Sequence, residues 1–239
     1  MIILFTDFGH EGPYTGQVEA VLQQQAPGVR VISLCSDLAP FDVEAAAYLL
    51  PAYAGGFPAG TVFLCVVDPG VGGTRWGVVV QADGCWYVGP NEGLFALLAR
   101  RARTVSCWQL PDDAGASASF HGRDVFAPVA AALARGGSAP GRAVPRDVLL
   151  KPDWPDELWR VAYVDRYGNA ISGVRASTVD DGMVFTLNSH AVPHAHTFTD
   201  VPDGAAFWYE NSNGLLEFAV NRGRADEVLG LKVGTAFNK

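Results

Sequence analysis

Paired cysteines are missing from this 239-residue chain, and with them the Cys-x-x-Cys spacing that marks many metal and redox sites. The four cysteines, Cys35, Cys65, Cys85 and Cys107, are widely separated, mostly in apolar strand-like surroundings. That placement predicts four free, buried thiols in a reducing cytoplasm. No apolar run is long enough to span a bilayer; those such as 125–134 are too short or too interrupted. Residues 1–5 have neither a basic leader nor a long apolar core, so they predict a first strand and not a signal peptide. Basic residues are outnumbered, 17 against 25 acidic, for a net charge of −8. With no Lys/Arg cluster to offset that charge, a nucleic-acid backbone or an anionic membrane is excluded as the main partner. There is no Walker loop, no Gly-x-Gly-x-x-Gly and no Gly-x-Ser-x-Gly, so phosphate cradling and serine-hydrolase chemistry lack support. Internal repeats and low-complexity tracts are absent as well. What remains is 49% hydrophobic and 18% charged, a globular chain able to bury a substantial core.

Up to about residue 135 strand-like and helix-like segments alternate. Strands are predicted over 2–6, 29–35, 61–67, 76–81, 85–88 and 104–108, and helices over 14–25, 43–54, 93–101 and 123–135. Such alternation implies an α/β domain with a mostly parallel, helix-covered sheet. Between 136 and 155 a Gly/Ser run and Pro140, Pro145, Pro152 and Pro155 interrupt regular structure. Beyond it come short strand signals at 159–164, 170–174, 183–187, 205–209, 215–220 and 228–233, separated by turn chemistry at 180–182 and 211–214. The predicted organisation is an α/β domain over 1–140, a linker over 141–157 and a small antiparallel β-barrel over 158–239.

Three places combine a strand end, an acid and a glycine turn. The run Val66-Val67-Asp68-Pro69-Gly70-Val71-Gly72-Gly73-Thr74-Arg75 stops an apolar strand at an acid and can turn back to bring Arg75 near Asp68. Ligands of open α/β sheets lie outside the carboxyl ends of strands, although a surface turn with a salt bridge has the same sequence. Asp7-Phe8-Gly9 ends the first strand. An acid there suits a ribose diol, a metal or a nucleophilic role, and equally a helix or turn cap. The phosphatase-type nucleophile needs a second Asp two residues on, where Gly9 stands. Asp165-Arg166-Tyr167-Gly168-Asn169 repeats the theme, with a ring and an amide suited to stacking on and reading a purine.

Phe120-His121-Gly122-Arg123-Asp124 opens a helix. His121 there can be fixed in one tautomer and act near neutral pH, or be an ordinary surface histidine. Asp124 suits the helix macrodipole better than catalysis. His190, His194 and His196 cluster without a Cys or acid to complete a regular ligand set, so a solvated loop is expected and no metal site.

Taken in order, Thr6-Asp7-Phe8-Gly9, Val67-Asp68-Pro69-Gly70-Val71-Gly72, Asn91-Glu92-Gly93, Phe120-His121-Gly122-Arg123-Asp124, Val164-Asp165-Arg166-Tyr167-Gly168-Asn169 and Asn211-Ser212-Asn213-Gly214-Leu215-Leu216-Glu217 resemble the S-adenosyl-L-methionine hydroxide adenosyltransferase family across nearly the whole chain. The resemblance implies a cofactor-free, metal-free attack of water or hydroxide on the ribose C5′ of S-adenosylmethionine, yielding adenosine and methionine. It implies a homotrimer, with the ligand between one subunit's N-terminal domain and its neighbour's C-terminal domain. By the same resemblance Asp68, Arg75 and His121 hold and activate the water, with Asp68 or His121 accepting the proton. Asp7 would hold the ribose hydroxyls and Asp165 the methionine ammonium. Tyr167 and Asn169 would line the adenine pocket, Ser212 would lie near the methionine carboxylate, and Tyr14, Phe120 and Asn221 complete the substrate-binding set. Halogenating relatives carry other residue types at the Asp and His positions and, in the fluorinating branch, an extra loop; hydrolysis is therefore expected here. Two departures stand in the outer contacts: Asn213 replaces an arginine and Ile171 a tryptophan of the halogenating relatives. A halogenating enzyme and a non-catalytic adenosine or S-adenosylmethionine sensor are the competing readings.

Overall fold

Five consecutive buried residues make Ile2–Thr6 a strand (β1) covered on both faces, the pattern of a central strand in a helix-covered parallel sheet. The computed structural model describes residues 1–112 and 115–238, and the chain divides into two units, Met1–Asp153 and Trp154–Lys239.

In the first unit β1 is followed by α1 (Tyr14–Gln25), β2 (Val31–Cys35), α2 (Val43–Ala54), β3 (Val62–Val66), β4 (Gly77–Ala82), β5 (Cys85–Pro90), α3 (Ala96–Arg101), β6 (Val105–Gln109), α4 (Ala127–Ala134) and β7 (Arg142–Val144). The sheet order is β2-β1-β3-β5-β4-β6-β7. Strands β2, β1, β3 and β5 run parallel, as the alternating pattern predicts. The other half is antiparallel: β4 pairs with both β5 and β6, and β6 with β7. The reversal has a local cause. Asp83 (φ +45) and Gly84 (φ +87) form a two-residue loop between the paired Ala82 and Cys85, and positive φ at both positions matches the right-handed strand twist. The stretch read as a linker contains β7 and a 3₁₀ turn at Arg146–Leu149; an open sheet edge recruits backbone groups whatever their side chains.

In the second unit β8 (Leu158–Val164), β9 (Ala170–Arg175), β12 (Ala206–Glu210) and β13 (Leu215–Val220) make an antiparallel sheet in the order β12-β13-β9-β8. Strands β10 (Phe185–Leu187) and β11 (His190–Val192) form a separate hairpin. The described strands thus give an antiparallel sheet domain, whereas a closed barrel was expected. The strand expected over 228–233 is replaced by α5 (Ala225–Val228) and a turn. Asp226 and Glu227 suit the first turn of a helix, and Gly230, at φ +63, breaks any extended run. Phe185, Trp208, Phe218 and Phe237 fill this unit's core. No described helix is long and apolar enough to cross a membrane.

Candidate active site

Strands β1 and β3 are neighbours in register, Thr6 opposite Val66, so the acids just beyond them emerge side by side at the carboxyl ends of two interior strands. Asp7 follows β1 directly, its N–H donating to the Val66 carbonyl at 3.3 Å, and Asp68 follows β3. The loop after Asp68 folds back because its glycines permit close approach. Gly72 has φ +76, and a Cβ there would lie 2.4 Å from the Ala118 carbonyl oxygen. At Gly70 a Cβ would meet Glu92 Oε1 at 2.5 Å and Arg75 Cγ at 3.0 Å.

The return places Arg75 on Asp68 in a two-pronged ion pair, Nε to Oδ1 at 2.9 Å and Nη2 to Oδ2 at 2.5 Å. Both side chains are only 6% exposed, so this pair is shielded from the solvent screening that weakens surface salt bridges. The guanidinium carbon lies 5.3 Å from the centre of the Phe126 ring. The same Nη2 is 2.7 Å from His121 Nδ1. A guanidinium has only donors, so Nδ1 accepts and the ring proton belongs on Nε2. His121 immediately precedes a π-helical turn, Gly122–Phe126, that leads into α4. Gly122 gives the Phe8 ring room there: a Cβ would lie 2.9 Å from its far edge, so the ring would have to move.

Asp7, Asp68, Phe120 and His121 line one small cavity of about 90 Å³, with Phe41 and Ser119 also on its wall. Asp7 Oδ2 accepts the Phe41 N–H at 3.0 Å. Burial, helped by the Asp68 charge, holds the Asp7 carboxyl above its ordinary range, although hydrogen bonds from the Phe41 and Asp7 amides oppose this. Phe41 is exposed and has φ +64, a costly conformation for a bulky residue and a mark of many binding sites. Nothing in its sequence context singled it out. Tyr14 does not line the cavity but packs edge-on against Phe120, ring centres 5.3 Å apart. Asp124 serves structure: it pairs with Arg123 and accepts the Ser117 N–H at 2.9 Å.

A second, larger pocket of about 710 Å³ lies within the C-terminal unit and is lined by Asp165, Tyr167, Asn169 and Ser212. Asp165 Oδ1 accepts the backbone N–H groups of Tyr167 and Asn169 at 2.8 and 2.9 Å, and Oδ2 accepts Asn169 Nδ2 at 3.2 Å. Asp165 thus ties the loop after β8 back onto itself. Asn221 lies off this pocket, its amide donating to the Val201 carbonyl at 2.8 Å. Tyr209, Asn211 and Glu217 line it without having been singled out as site residues. Glu217 is 4% exposed; it accepts Tyr209 Oη–H at 2.6 Å and Asn211 Nδ2–H at 2.9 Å. Burial raises its carboxyl above the usual range and Asp165's charge adds to this, while hydrogen bonds from Tyr209, Asn211 and Asn169 oppose it. The sequence signal was there: an acid between Leu216 and Phe218 in an otherwise apolar strand.

The three clustered histidines do not come together as a three-ligand set. His190 sits on β11, while the His194 ring lies tilted against Trp208 with centres 4.5 Å apart and edge-on to His196 at 5.2 Å. Among the described residues no group of three or more His, Cys, Asp or Glu is placed to hold an ion. All four cysteines are free; burial and the Asp37 charge push Cys35 up to about 12.

Residues 2–142 match the family described as SAM hydroxide adenosyltransferase N-terminal domain, and residues 159–238 match its C-terminal domain. The chain is 43% identical to the (R)-S-adenosyl-L-methionine hydrolase of Thermus thermophilus, over 98% of this chain and 96% of that one. A fluorinase from Nocardia brasiliensis is more distant, 23% identical over 98% of this chain and 94% of its own. Among solved structures, an uncharacterized conserved protein from Thermotoga maritima superposes with a TM-score of 0.87 and 31% identity, covering 98% of this chain and 97% of that one.

Proposed function

The chain belongs to the SAM hydroxide adenosyltransferase family, and on that premise we propose that it hydrolyses S-adenosyl-L-methionine to adenosine and L-methionine, acting on the (R)-sulfonium epimer. The epimer follows the Thermus relative's name. The observation that carries the reading is the shielded Asp68–Arg75–His121 cluster at the carboxyl end of β3.

In the proposed reaction a water oxygen bonds to ribose C5′ while the C5′–S bond breaks. The bonding pair stays on sulfur, so methionine leaves as a neutral thioether and needs no general acid. The enzyme has to align the water and take one proton, a task of orientation and base catalysis. His121 Nδ1 already accepts from Arg75 and Nε2 then carries the ring proton. Asp68 has a lone pair left on each oxygen beyond those facing Arg75, so Asp68 is assigned as proton acceptor. Arg75 fixes the carboxylate and stabilises developing hydroxide, and His121 fixes Arg75. Asp7 is assigned to the ribose hydroxyls, with Phe120 and Tyr14 beside it. Asp165, Tyr167, Asn169 and Ser212 are assigned to the adenine and methionine parts.

The acids of the first unit surround only about 90 Å³, less than the roughly 300 Å³ at which pockets for such ligands begin. A homotrimer in which a neighbour's C-terminal unit brings the larger pocket to these strand ends meets that requirement. The C-terminal sheet is proposed to close as a barrel, because residues 193–195 bond to β12 and 234–237 to β8. The free thiols support a cytoplasmic setting.

The test is a product assay in ¹⁸O-labelled water with each sulfonium epimer and with chloride present. Adenosine carrying one labelled oxygen supports the proposal. Binding without adenosine, or formation of 5′-chloro-5′-deoxyadenosine, overturns it.

A further inference from the structure

Glu217 is an expensive residue to bury. It lies inside β13, is 4% exposed, and faces the 710 Å³ pocket beside a second acid, Asp165. Its hydrogen-bonding neighbours are the neutral side chains of Tyr209, Asn211 and Asn169. Arg222, the one basic residue among the described residues that line the pocket, is turned to Asp203 at 3.0 Å. All three neighbours present donors to its oxygens, the arrangement that suits an ionised, acceptor-only carboxylate. A buried carboxylate without a cation is costly, because its lost hydration is not recovered.

We propose that Glu217 determines charge specificity: its carboxylate, paired with that of Asp165, makes this pocket select a ligand bearing an additional positive charge next to its nucleoside over a neutral one of the same shape. This rests on the hydrolase reading and deepens it. A sulfonium substrate carries one more positive charge than the thioether or nucleoside it resembles. Two carboxylates, of which Glu217 is buried and Asp165 half-buried, act on that difference more strongly than they do in water. Asn211 then does double duty. Its Nδ2 holds Glu217, and its Oδ1 accepts the N–H groups of Asn213 and Leu215 at 2.9 and 3.0 Å, so the turn bearing Ser212 is fixed to the same carboxylate.

The experiment measures calorimetric binding of three stable probes: sinefungin, whose carbon–carbon bond resists cleavage and whose side-chain amine supplies the charge; S-adenosylhomocysteine, its neutral thioether counterpart; and adenosine. The intact wild-type protein should prefer sinefungin to S-adenosylhomocysteine by about tenfold or more. Glu217→Gln should remove most of that preference while adenosine affinity stays within about threefold, and Glu217→Asp, which keeps the charge, should retain it. Equal affinity of the wild-type protein for sinefungin and S-adenosylhomocysteine overturns the proposal, with no variant needed. So does a uniform loss for all three probes in Glu217→Gln, the signature of a merely structural role. Failure of the wild-type protein to bind adenosine at all would instead sink the hydrolase reading beneath it.

Discussion

At the scale of residues, the chemistry is concentrated in one ion pair whose members lie seven positions apart. Asp68→Asn keeps an oxygen for Arg75 but removes the carboxylate, so turnover should fall by about 10²- to 10⁴-fold, the usual share of a positioned base. Adenosine affinity should change little, and steady-state assays alongside calorimetry separate the two. Asp7 makes an opposite kind of prediction. Its carboxyl is held above the ordinary value of 3.8 by burial, so at neutral pH the charged form costs the folded state stability. That cost is present above the folded-state value and vanishes as pH falls through it towards 3.8. Asp7→Asn should therefore raise Tm at pH 7, and the gain should shrink steadily on acidification. Thermal melts across pH 3–7 check this; a gain independent of pH would contradict it. The same substitution should weaken adenosine binding if Asp7 holds the ribose. Asp68, Arg75 and His121 were legible because acid, glycine loop and basic partner are adjacent in sequence or carried by a motif. Phe41 was not, since a backbone strained at φ +64 leaves no mark on residue type.

At the scale of elements, the loop between β3 and β4 works because Gly72 lets it pass the Ala118 backbone closely and Gly70 leaves room for the Glu92 and Arg75 side chains. Gly72→Ala adds a Cβ that would sit 2.4 Å from the Ala118 oxygen, so the loop must shift and Arg75 with it. Displacements near 1 Å can cost about 10²-fold in rate, so turnover should drop by at least tenfold. Gly12→Ala is the control: φ is also positive, +95, but nothing lies within 4 Å. It should cost stability without a comparable loss of turnover, as melts and kinetics on the pair would reveal. Helices α1 and α2 follow their sequence pattern because apolar spacing is a local property. The antiparallel half of the sheet did not, although Asp83-Gly84 carried the hairpin signal in two residues. The 228–233 segment failed for a different reason: valine and leucine suggest a strand, but the preceding acids and Gly230 commit the backbone to a helix and a turn.

At the scale of the whole molecule, the candidate residues fall into two sets on separate units, one around each pocket. If each working site takes its first set from one subunit and its second from a neighbour, two inactive variants should complement. Co-expressed Asp68→Asn and Asp165→Ala chains, mixed equally, would build both intact sets into about a quarter of the sites of a cyclic assembly. Recovery of about that fraction of wild-type activity supports the trimer; no recovery in verified mixed assemblies places the site within one chain.

The sequence by itself determined the family, the order of elements in the N-terminal half and the strand-end acids, because hydrophobic periodicity and turn chemistry act over a few residues. Tertiary structure decided that Asp68 and Arg75 form a pair shielded to 6% exposure and that His121 meets it through Nδ1. It also decided that Glu217 lies buried at a pocket wall. Burial and close approach depend on chain segments tens of residues apart, and no local pattern encodes what the remote segment will cover.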